Sequence, residues 1–231
     1  METISRRQFL LFVSTSLASA AVPYSPALAS IGQNTLEKEN MLPVTIAVLR
    51  DAYVSEMAAH KHYIGYCGKA VEEKYPNMAY LFTAFGVSEK IHADNFKKIL
   101  ASLGFPMDER ICDTLILDTK ANLRTAAKKE LLKIEKTYPE FLSKLRTESH
   151  DQAVINCMYS WKSRKQHRAK IAEIQKYSKM FFGSVAKNIE GMRLDFHVCE
   201  ICGSTIDEAP KTPCGICNYP MSHYKKVMPP A

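Results

Sequence analysis

Apolar side chains recur along most of the chain with the spacing of an α-helix. They form four stripes of helical length, at residues 43–72, 78–104, 123–145 and 154–178. Gly104 followed by Pro106 marks the end of the second stripe, and Pro139 predicts a kink or a break in the third. A longer connection separates the second stripe from the third. The pattern therefore predicts a mostly α protein, a four-helix bundle with a crossover connection.

Cysteine, glycine and proline replace the helical pattern after Gly183. This change predicts a bundle at residues 43–183 and a second, small domain at residues 192–228. The small domain holds two C-x-x-C pairs, a spacing typical of two knuckles that give four thiolates to one metal. The four cysteines are Cys199, Cys202, Cys214 and Cys217.

The two knuckles are also expected to have tight turns, which Gly203 and Gly215 favour. The cysteine spacing leaves the metal open between iron and zinc. A zinc ribbon that only folds the tail is the alternative to an iron site.

The first thirty residues have the features of an export signal. A pair of arginines in SRRQF precedes the apolar run LLFVSTSLASAAV, and a small-residue cleavage site ends at Ala29. The paired arginines resemble a twin-arginine (Tat) signal, which implies export of the already folded protein. We expect residues 1–29 to be a signal peptide, residues 30–42 a linker, and the mature protein to be periplasmic. An uncleaved membrane anchor is the alternative.

The net charge of the chain and the distribution of its charged residues limit which binding partners are expected. The 231 residues carry a formal net charge of +7 and a pI near 9.0. Acidic residues are interspersed among the basic ones, and the basic residues form no run interleaved with aromatic residues. Nucleic acid is therefore not an expected partner, and the basic surface serves solubility.

Polar residues interrupt the apolar stripes while keeping their phase, so they are expected to face the interior. Unpaired buried charges cost several kcal/mol each, so such a group needs a compensating partner. A metal ion is one such partner, because carboxylates and imidazoles together suit iron, manganese or zinc. The residues in question are Glu56, Glu89, His92, Glu130, Arg164 and His167.

Ferritin-like di-iron bundles provide a template for this pattern. They take one Glu from each of two helices and a Glu-x-x-His motif from each of the other two. Glu56 and Glu130 fill the single-Glu places, and the motif that begins at Glu89 fills one Glu-x-x-His place. In the last motif His167 is present, but Arg164 stands where the glutamate is expected.

These motifs resemble the rubrerythrin family over about residues 44–224. The similar motifs are ExxAxxxY from Glu56, ExxH from Glu89, NLRTAAKKE…YPEF and VCEICG…PCGIC. The resemblance implies a ferritin-like four-helix bundle with one or two metal ions, followed by a rubredoxin-like domain with iron. It also implies hydrogen peroxide as the substrate and an external electron donor whose electrons pass through the four-cysteine iron. A homodimer is the expected assembly.

Two departures from the family change this expectation. Lys133 stands where the family usually has a further glutamate, and Arg164 replaces a bridging carboxylate. Two like charges about 4 Å apart repel by roughly 4 kcal/mol at an effective dielectric near 20, so two irons beside Arg164 would be strained. Arg164 is instead expected to pair with Glu89 or Glu130, leaving room for one metal or none. The alternative is that Arg164 reaches solvent.

Tyr63 follows Glu56 by two helical turns, so it is a candidate donor of a hydrogen bond or a radical beside the site; an ordinary core tyrosine is the alternative. Two functions then remain open. The first is an exported non-haem iron oxidoreductase that reduces peroxide. The second is a non-catalytic electron-transfer or metal-binding protein whose bundle site is salt-bridged by Arg164.

Overall fold

The computed structural model describes residues 42–108, 114–176 and 182–230, and all of them belong to one compact unit of the chain. The predicted export signal and most of the predicted linker lie outside the described residues. Within the described part, no helix combines the length and the apolar character needed to cross a bilayer.

The bundle has the predicted four-helix architecture, which confirms the mostly α fold. Its long helices are continuous, and the third bundle position is built from two helices joined by a π-helical turn, Lys133–Thr137. The helices are α1 (Pro43–Glu72), α2 (Pro76–Ser102), α3 (Thr119–Leu132), α4 (Tyr138–Leu145) and α5 (Asp151–Lys176).

The π-helical turn is the structural form of the break predicted at Pro139. Proline has no backbone N–H and its ring collides with the carbonyl group four residues earlier in an α-helix. The wider turn lets the chain stay helical through this point and continue into α4. It begins three residues after Glu130, so it lies close to the polar residues of the bundle interior.

The bundle interior consists of two apolar clusters. One contains Tyr63, Phe85 and Ile171, and the other contains Phe96 and Cys157. On α2 and α5 the predicted polar residues lie between the parts of the helix that enter these clusters. The polar residues are therefore enclosed by hydrophobic packing from both ends of the bundle.

The C-terminal region consists of a short helix and a small sheet. Helix α6 (Phe182–Glu190) was not predicted from the sequence. The strands are β1 (His197–Cys199), β2 (Thr205–Ile206) and β3 (Tyr224–Lys226), with a 3₁₀ turn at Met221–His223. Within the described residues, β1 pairs antiparallel with both neighbours, in the order β2-β1-β3. Residues 196–227 are called the C-terminal unit below.

Distant carboxylates complete the starts of the first two helices. The carboxylate of Glu148 accepts hydrogen bonds from the backbone N–H groups of Val44 at 3.0 Å and Thr45 at 2.7 Å. Glu190, at the end of α6, does the same for the first turn of α2. A negative charge at a helix N-terminus is stabilising because the free N–H groups and the helix dipole point at it.

The substitution Glu148→Gln tests this cap. Burial would raise the pKa of Glu148, but the hydrogen bonds from Thr45 and Val44 outweigh it and hold the pKa below its usual value. A lowered folded-state pKa contributes stability above the unfolded value of about 4.3, and the contribution is lost as the pH falls through the folded-state pKa. We expect the substitution to lower the free energy of unfolding by about 1 kcal/mol at neutral pH. The difference between the variant and the unsubstituted protein should shrink as the pH falls through the folded-state pKa of Glu148.

Chemical denaturation at several pH values measures the effect. Glu135→Gln is the matched control, because Glu135 is exposed. A Glu148→Gln difference that stays constant from neutral to acidic pH would contradict the capping role.

Candidate metal centres

The structure brings the predicted polar residues of the four bundle positions together in one buried group, called the bundle centre. Its members are Glu56, Glu89, His92, Glu130, Arg164 and His167, and each is at most 1% exposed. Whether any of them binds a metal stays a prediction. Their convergence follows from the helical phase, because each lies on the inward face of its own helix.

Arg164 occupies the middle of the bundle centre. Its Nη1 donates to Glu130 Oε2 at 2.9 Å, and its Nη2 donates to Glu89 Oε2 at 2.6 Å and also to Glu56 Oε2. The guanidinium group therefore holds one oxygen of each carboxylate, more than the single pair expected from the sequence. The alternative in which Arg164 reaches solvent is wrong, because the side chain is 1% exposed.

The guanidinium group also sets the ionisation of its partners. Burial would raise the pKa of Glu89 and of Glu130, but the charge of Arg164 and the neighbouring polar side chains together outweigh burial and lower both, that of Glu89 well below its usual range. Burial raises the pKa of Glu56, against the effect of Arg164 and Lys133. Arg164 thus helps to stabilise the charged forms of Glu89 and Glu130, whereas burial dominates at Glu56.

Lysine and tyrosine side chains complete the surroundings of Glu56 and Glu130. Lys133 Nζ lies 3.7 Å from Glu56 Oε1, and the hydroxyl of Tyr138 donates to the same oxygen. Tyr63 donates to Glu130 Oε1 at 2.6 Å, so of the two alternatives it is the hydrogen-bond donor. Tyr138 was missed from the sequence. Its phase with the apolar stripe predicts an inward side chain, but nothing local indicates its partner.

Both histidines are oriented by the C-terminal unit. His92 Nε2 lies 3.1 Å from the carbonyl oxygen of Cys202, which can only accept, so Nε2 donates. His167 Nε2 lies 3.2 Å from Thr205 Oγ1, whose own hydrogen is directed to the carbonyl of Gly203. The Nδ1 atoms of both rings consequently face the carboxylates of the bundle centre.

The donor atoms form two possible metal-binding groups that share Glu89. One is Glu89 with Glu56 and His92, and the other is Glu89 with Glu130 and His167. In the first group the guanidinium of Arg164 is bound to both carboxylates. The residues therefore do not fit a pair of metal ions, because a fixed cation occupies the space between the first group's ligands.

The second group retains free donor atoms. Among the described residues, Glu89 Oε1 and His167 Nδ1 are buried without a hydrogen-bond partner; they lie 3.3 Å apart without hydrogen-bond geometry. His167 Nδ1 also lies 3.5 Å from Glu130 Oε1. Burial would lower the pKa of His167, but Glu130 and Glu89 outweigh it and raise the pKa. A single ion fits this group by donor type, in competition with a proton on His167.

The four cysteines form a second centre, called the four-cysteine site. The Sγ atoms of Cys199 and Cys217 are 3.8 Å apart, and those of Cys202 and Cys214 are 3.5 Å apart; none of the four is in a disulfide among the described residues. Four thiolates arranged tetrahedrally about a metal, with bonds of about 2.3 Å, are about 3.8 Å apart. The site therefore fits a tetrahedral metal ion.

Each knuckle closes with a residue in the left-handed conformation, and the sequence indicated only one of them correctly. Gly203 has a φ of 73°, as expected. In the second knuckle the residue is Asn218, with a φ of 60°, and Gly215 is not among the described glycines with positive φ. Both turns have the same backbone hydrogen bond, from Gly203 to Cys199 and from Asn218 to Cys214. Asparagine tolerates this conformation because its short side chain bonds locally.

The first knuckle is inserted between α2 and α5 of the same chain. The carbonyl oxygen of Gly203 accepts from Ser88 Oγ at 2.6 Å and Ser163 Oγ at 2.7 Å, and Asn95 Nδ2 donates to the carbonyl of Ile201 at 2.8 Å. A Cβ on Gly203 would lie 2.3 Å from His92 Nε2. The four-cysteine site is thus held directly against the bundle centre, with His92 bridging them.

Comparison with known proteins identifies the relatives of the chain. A family model described as Rubrerythrin matches residues 47–175. Rubrerythrin-2 of Clostridium acetobutylicum is 29% identical over 178 residues, which is 75% of this chain and 91% of the relative. Nigerythrin of Nitratidesulfovibrio vulgaris is 27% identical over 179 residues, which is 76% of this chain and 83% of the relative.

Solved structures show the same fold. Nigerythrin in a mixed-valence state superposes with a TM-score of 0.68 at 23% identity, covering 79% of this chain and 86% of that one. A bacterioferritin of Desulfovibrio desulfuricans superposes with a TM-score of 0.56 at 20% identity, covering 67% of this chain and 91% of that one. These likenesses show the ferritin-like bundle, and the family identification rests on the sequence matches.

Removing the guanidinium tests its role at the bundle centre. We expect Arg164→Met to lower the free energy of unfolding by about 3–5 kcal/mol, because it leaves buried carboxylates without their cation. Added Mn²⁺ or Fe²⁺ should recover part of this loss in the variant and have no effect on the unsubstituted bundle. Lys162→Met is the control, since Lys162 is exposed on the same helix. An unchanged stability in Arg164→Met would contradict the salt-bridged centre.

The knuckle contact is tested by a pair of glycine substitutions. Gly203→Ala should detach the C-terminal unit from α2 and α5, since the new Cβ meets His92 and the backbone is left-handed there. Gly215→Ala is the matched control, because nothing lies within 4 Å of its added Cβ. Hydrogen exchange at residues 196–206 should rise by at least about tenfold in the first variant alone. Equal exchange in both variants would show that the knuckle does not depend on this contact.

Proposed function

The chain belongs to the rubrerythrin family, and from that premise we propose that it is an exported one-electron carrier whose redox centre is an iron at the four-cysteine site. The family binds iron, and membership of it is consistent with the function of a non-haem iron oxidoreductase. The observation that carries the proposal is the contrast between the two centres. The four thiols fit a metal ion, whereas Arg164 fills the bundle centre and holds all of its carboxylates.

Iron held by four thiolates exchanges one electron, at a potential set by hydrogen bonds to sulfur, charge and exposure. The chain provides a hydrogen bond to sulfur and a partly exposed cysteine ligand. Tyr224 donates to Cys214 Sγ at 3.4 Å, and its hydroxyl lies 2.9 Å from Ser204 Oγ. Cys217 is only half-buried, so it offers an external electron donor the shortest approach.

The bundle centre supplies no di-iron reaction in this proposal. Its carboxylates are Glu56, Glu89 and Glu130, and the chain's own cations Arg164 and Lys133 already contact them. Two divalent ions would add positive charge beside the guanidinium group, which cannot lose its own charge by deprotonation in a protein. The centre therefore acts as a structural salt bridge that orients His92 and His167 toward the C-terminal unit.

Peroxide reduction at a single metal ion is the second candidate. It is favoured by the buried atoms Glu89 Oε1 and His167 Nδ1, which lack partners among the described residues and lie beside Glu130. In this case one ion would be held by these three residues, and Tyr63 would remain the hydrogen-bond donor to Glu130. The external donor would still deliver electrons through the four-cysteine site.

Export and assembly form part of the same proposal. The Tat-type signal suits a protein that acquires its metal before export, so we place the mature chain in the periplasm. A homodimer remains our proposal for the assembly, as the family resemblance implies. The four-cysteine site contacts the bundle of its own chain, so contact between the two centres does not depend on a partner subunit.

Metal analysis of protein purified from its native export route tests the carrier function. We expect about one iron per chain, bound at the tetrahedral thiolate site, with the visible absorption of an iron–thiolate centre that bleaches on reduction. We expect no turnover of hydrogen peroxide. About two irons with peroxide turnover would support the single-metal enzyme instead, and zinc without visible absorption would contradict both.

Restoring the missing carboxylate is the complementary experiment. Arg164→Glu should raise the iron content toward about three per chain, because it rebuilds the second Glu-x-x-His motif and removes the competing cation. Arg164→Gln is the control, since it removes the charge without adding a ligand. An iron content that is the same in Arg164→Glu and in the unsubstituted protein would contradict the idea that Arg164 excludes metal.

A further inference from the structure

A line of hydrogen-bonded polar side chains connects helix α5 with a sulfur of the four-cysteine site. Gln166, which precedes His167 on α5, has both polar atoms of its amide near Ser204 Oγ, Nε2 at 3.1 Å and Oε1 at 3.2 Å. Ser204 Oγ lies 2.9 Å from the hydroxyl of Tyr224, and this hydroxyl donates to Cys214 Sγ at 3.4 Å. The line therefore runs from the bundle to a metal ligand, and the carrier function uses only its last bond.

The direction of each hydrogen bond follows from the groups at the two ends of the line. The backbone N–H of Thr205 donates to Gln166 Oε1 at 3.0 Å, which orients the amide so that Nε2 donates to Ser204 Oγ. A cysteine that binds a metal is a thiolate and has no hydrogen, so Cys214 Sγ accepts. The single hydrogen of the Tyr224 hydroxyl points at this sulfur, and its oxygen accepts from Ser204. The hydrogens along the line are consequently all directed from Gln166 toward the sulfur.

The line is shielded from water within the C-terminal unit. Ser204 is 0% exposed, Cys214 is 2% exposed and Tyr224 is 9% exposed. In the protein interior hydrogen bonds are electrostatically stronger than in water, and consecutive bonds polarise one another. The donor at the α5 end of the line therefore strengthens the bond at the sulfur end.

We propose that Gln166 is a positioning residue that raises the reduction potential of iron at the four-cysteine site, acting through Ser204 and Tyr224. This inference rests on the proposed carrier function. Reduction adds one electron, taken from the external donor, to a centre that four thiolates already make negative. A hydrogen bond to sulfur therefore stabilises the reduced form more than the oxidised form. A helix of the bundle thus adjusts the potential at which the carrier accepts its electron.

Potentiometric titration of the full chain, loaded with iron in vitro, tests the proposal. Tyr224→Phe removes the donor to sulfur and should make reduction about tenfold less favourable, which lowers the potential by about 59 mV for one electron. Gln166→Met should make reduction about threefold less favourable, or about 28 mV on the same scale, because Ser204 loses the donor that polarises its hydroxyl. Gln152→Met is the matched control, since it makes the same chemical change at an exposed position of α5. It should leave the potential within about 10 mV.

Combining the substitutions separates the hydrogen-bond line from a purely structural role of Gln166. In the Tyr224→Phe background, Gln166→Met should no longer shift the potential, because the line does not reach the sulfur. Ser204→Ala interrupts the same line and replaces Gln166→Met if that variant does not retain iron. Equal shifts in both backgrounds, or an unchanged potential when Gln166 or Ser204 is substituted alone, would overturn the proposal.

Failure of the carrier function gives a different result. Zinc in protein purified from its native export route would defeat that function, but the potentials are measured on protein loaded with iron and would still report on Gln166. An unchanged potential in Gln166→Met, with iron in the natively purified protein, would overturn the role of Gln166 and leave the carrier function standing.

Discussion

A buried guanidinium group bound to carboxylates from separate helices is the interaction on which the rest of the structure depends. Arg164 replaces the bulk and the charge that metal ions bring to bundles of this kind, and it does so from within the chain. Breaking a buried ion pair by removing one partner is far more costly than losing a surface pair. The bundle is therefore expected to fold without metal, whereas a di-metal bundle must balance its carboxylates with bound ions.

The same interaction explains why the two centres are in contact. Because Arg164 fixes the carboxylates, the Nδ1 atoms of His92 and His167 have defined neighbours, and their Nε2 atoms are left to bond the C-terminal unit. Ser88 and Ser163 add hydrogen bonds to the carbonyl of Gly203 in the same place. The knuckle that carries half of the four-cysteine site is thus positioned by the bundle, so substitutions in either centre are expected to affect the other.

Much of this could be predicted from the sequence, because the decisive signals are local. Helical phase predicted that Glu56, Glu89 and Arg164 face the interior, and the two C-x-x-C pairs predicted the four-cysteine cluster. The missed features depend on contacts between distant segments. They are the hydrogen bond from Tyr138 to Glu56, the close contact of Gly203 with His92, and the cap that Glu148 provides for α1. Each of them joins residues that no sequence periodicity connects. The left-handed Asn218 was missed because glycine is the stronger indicator of that conformation.

The central claim is that a guanidinium group, and not a pair of metal ions, fills the interior of the bundle. A crystal structure of the iron-loaded protein, with anomalous scattering measured at the iron absorption edge, tests it most directly. The account predicts an anomalous peak among the four cysteine sulfurs and continuous density from Arg164 to Glu56, Glu89 and Glu130, without a peak between them. Two strong peaks flanking Glu89, with the side chain of Arg164 turned away, would contradict it.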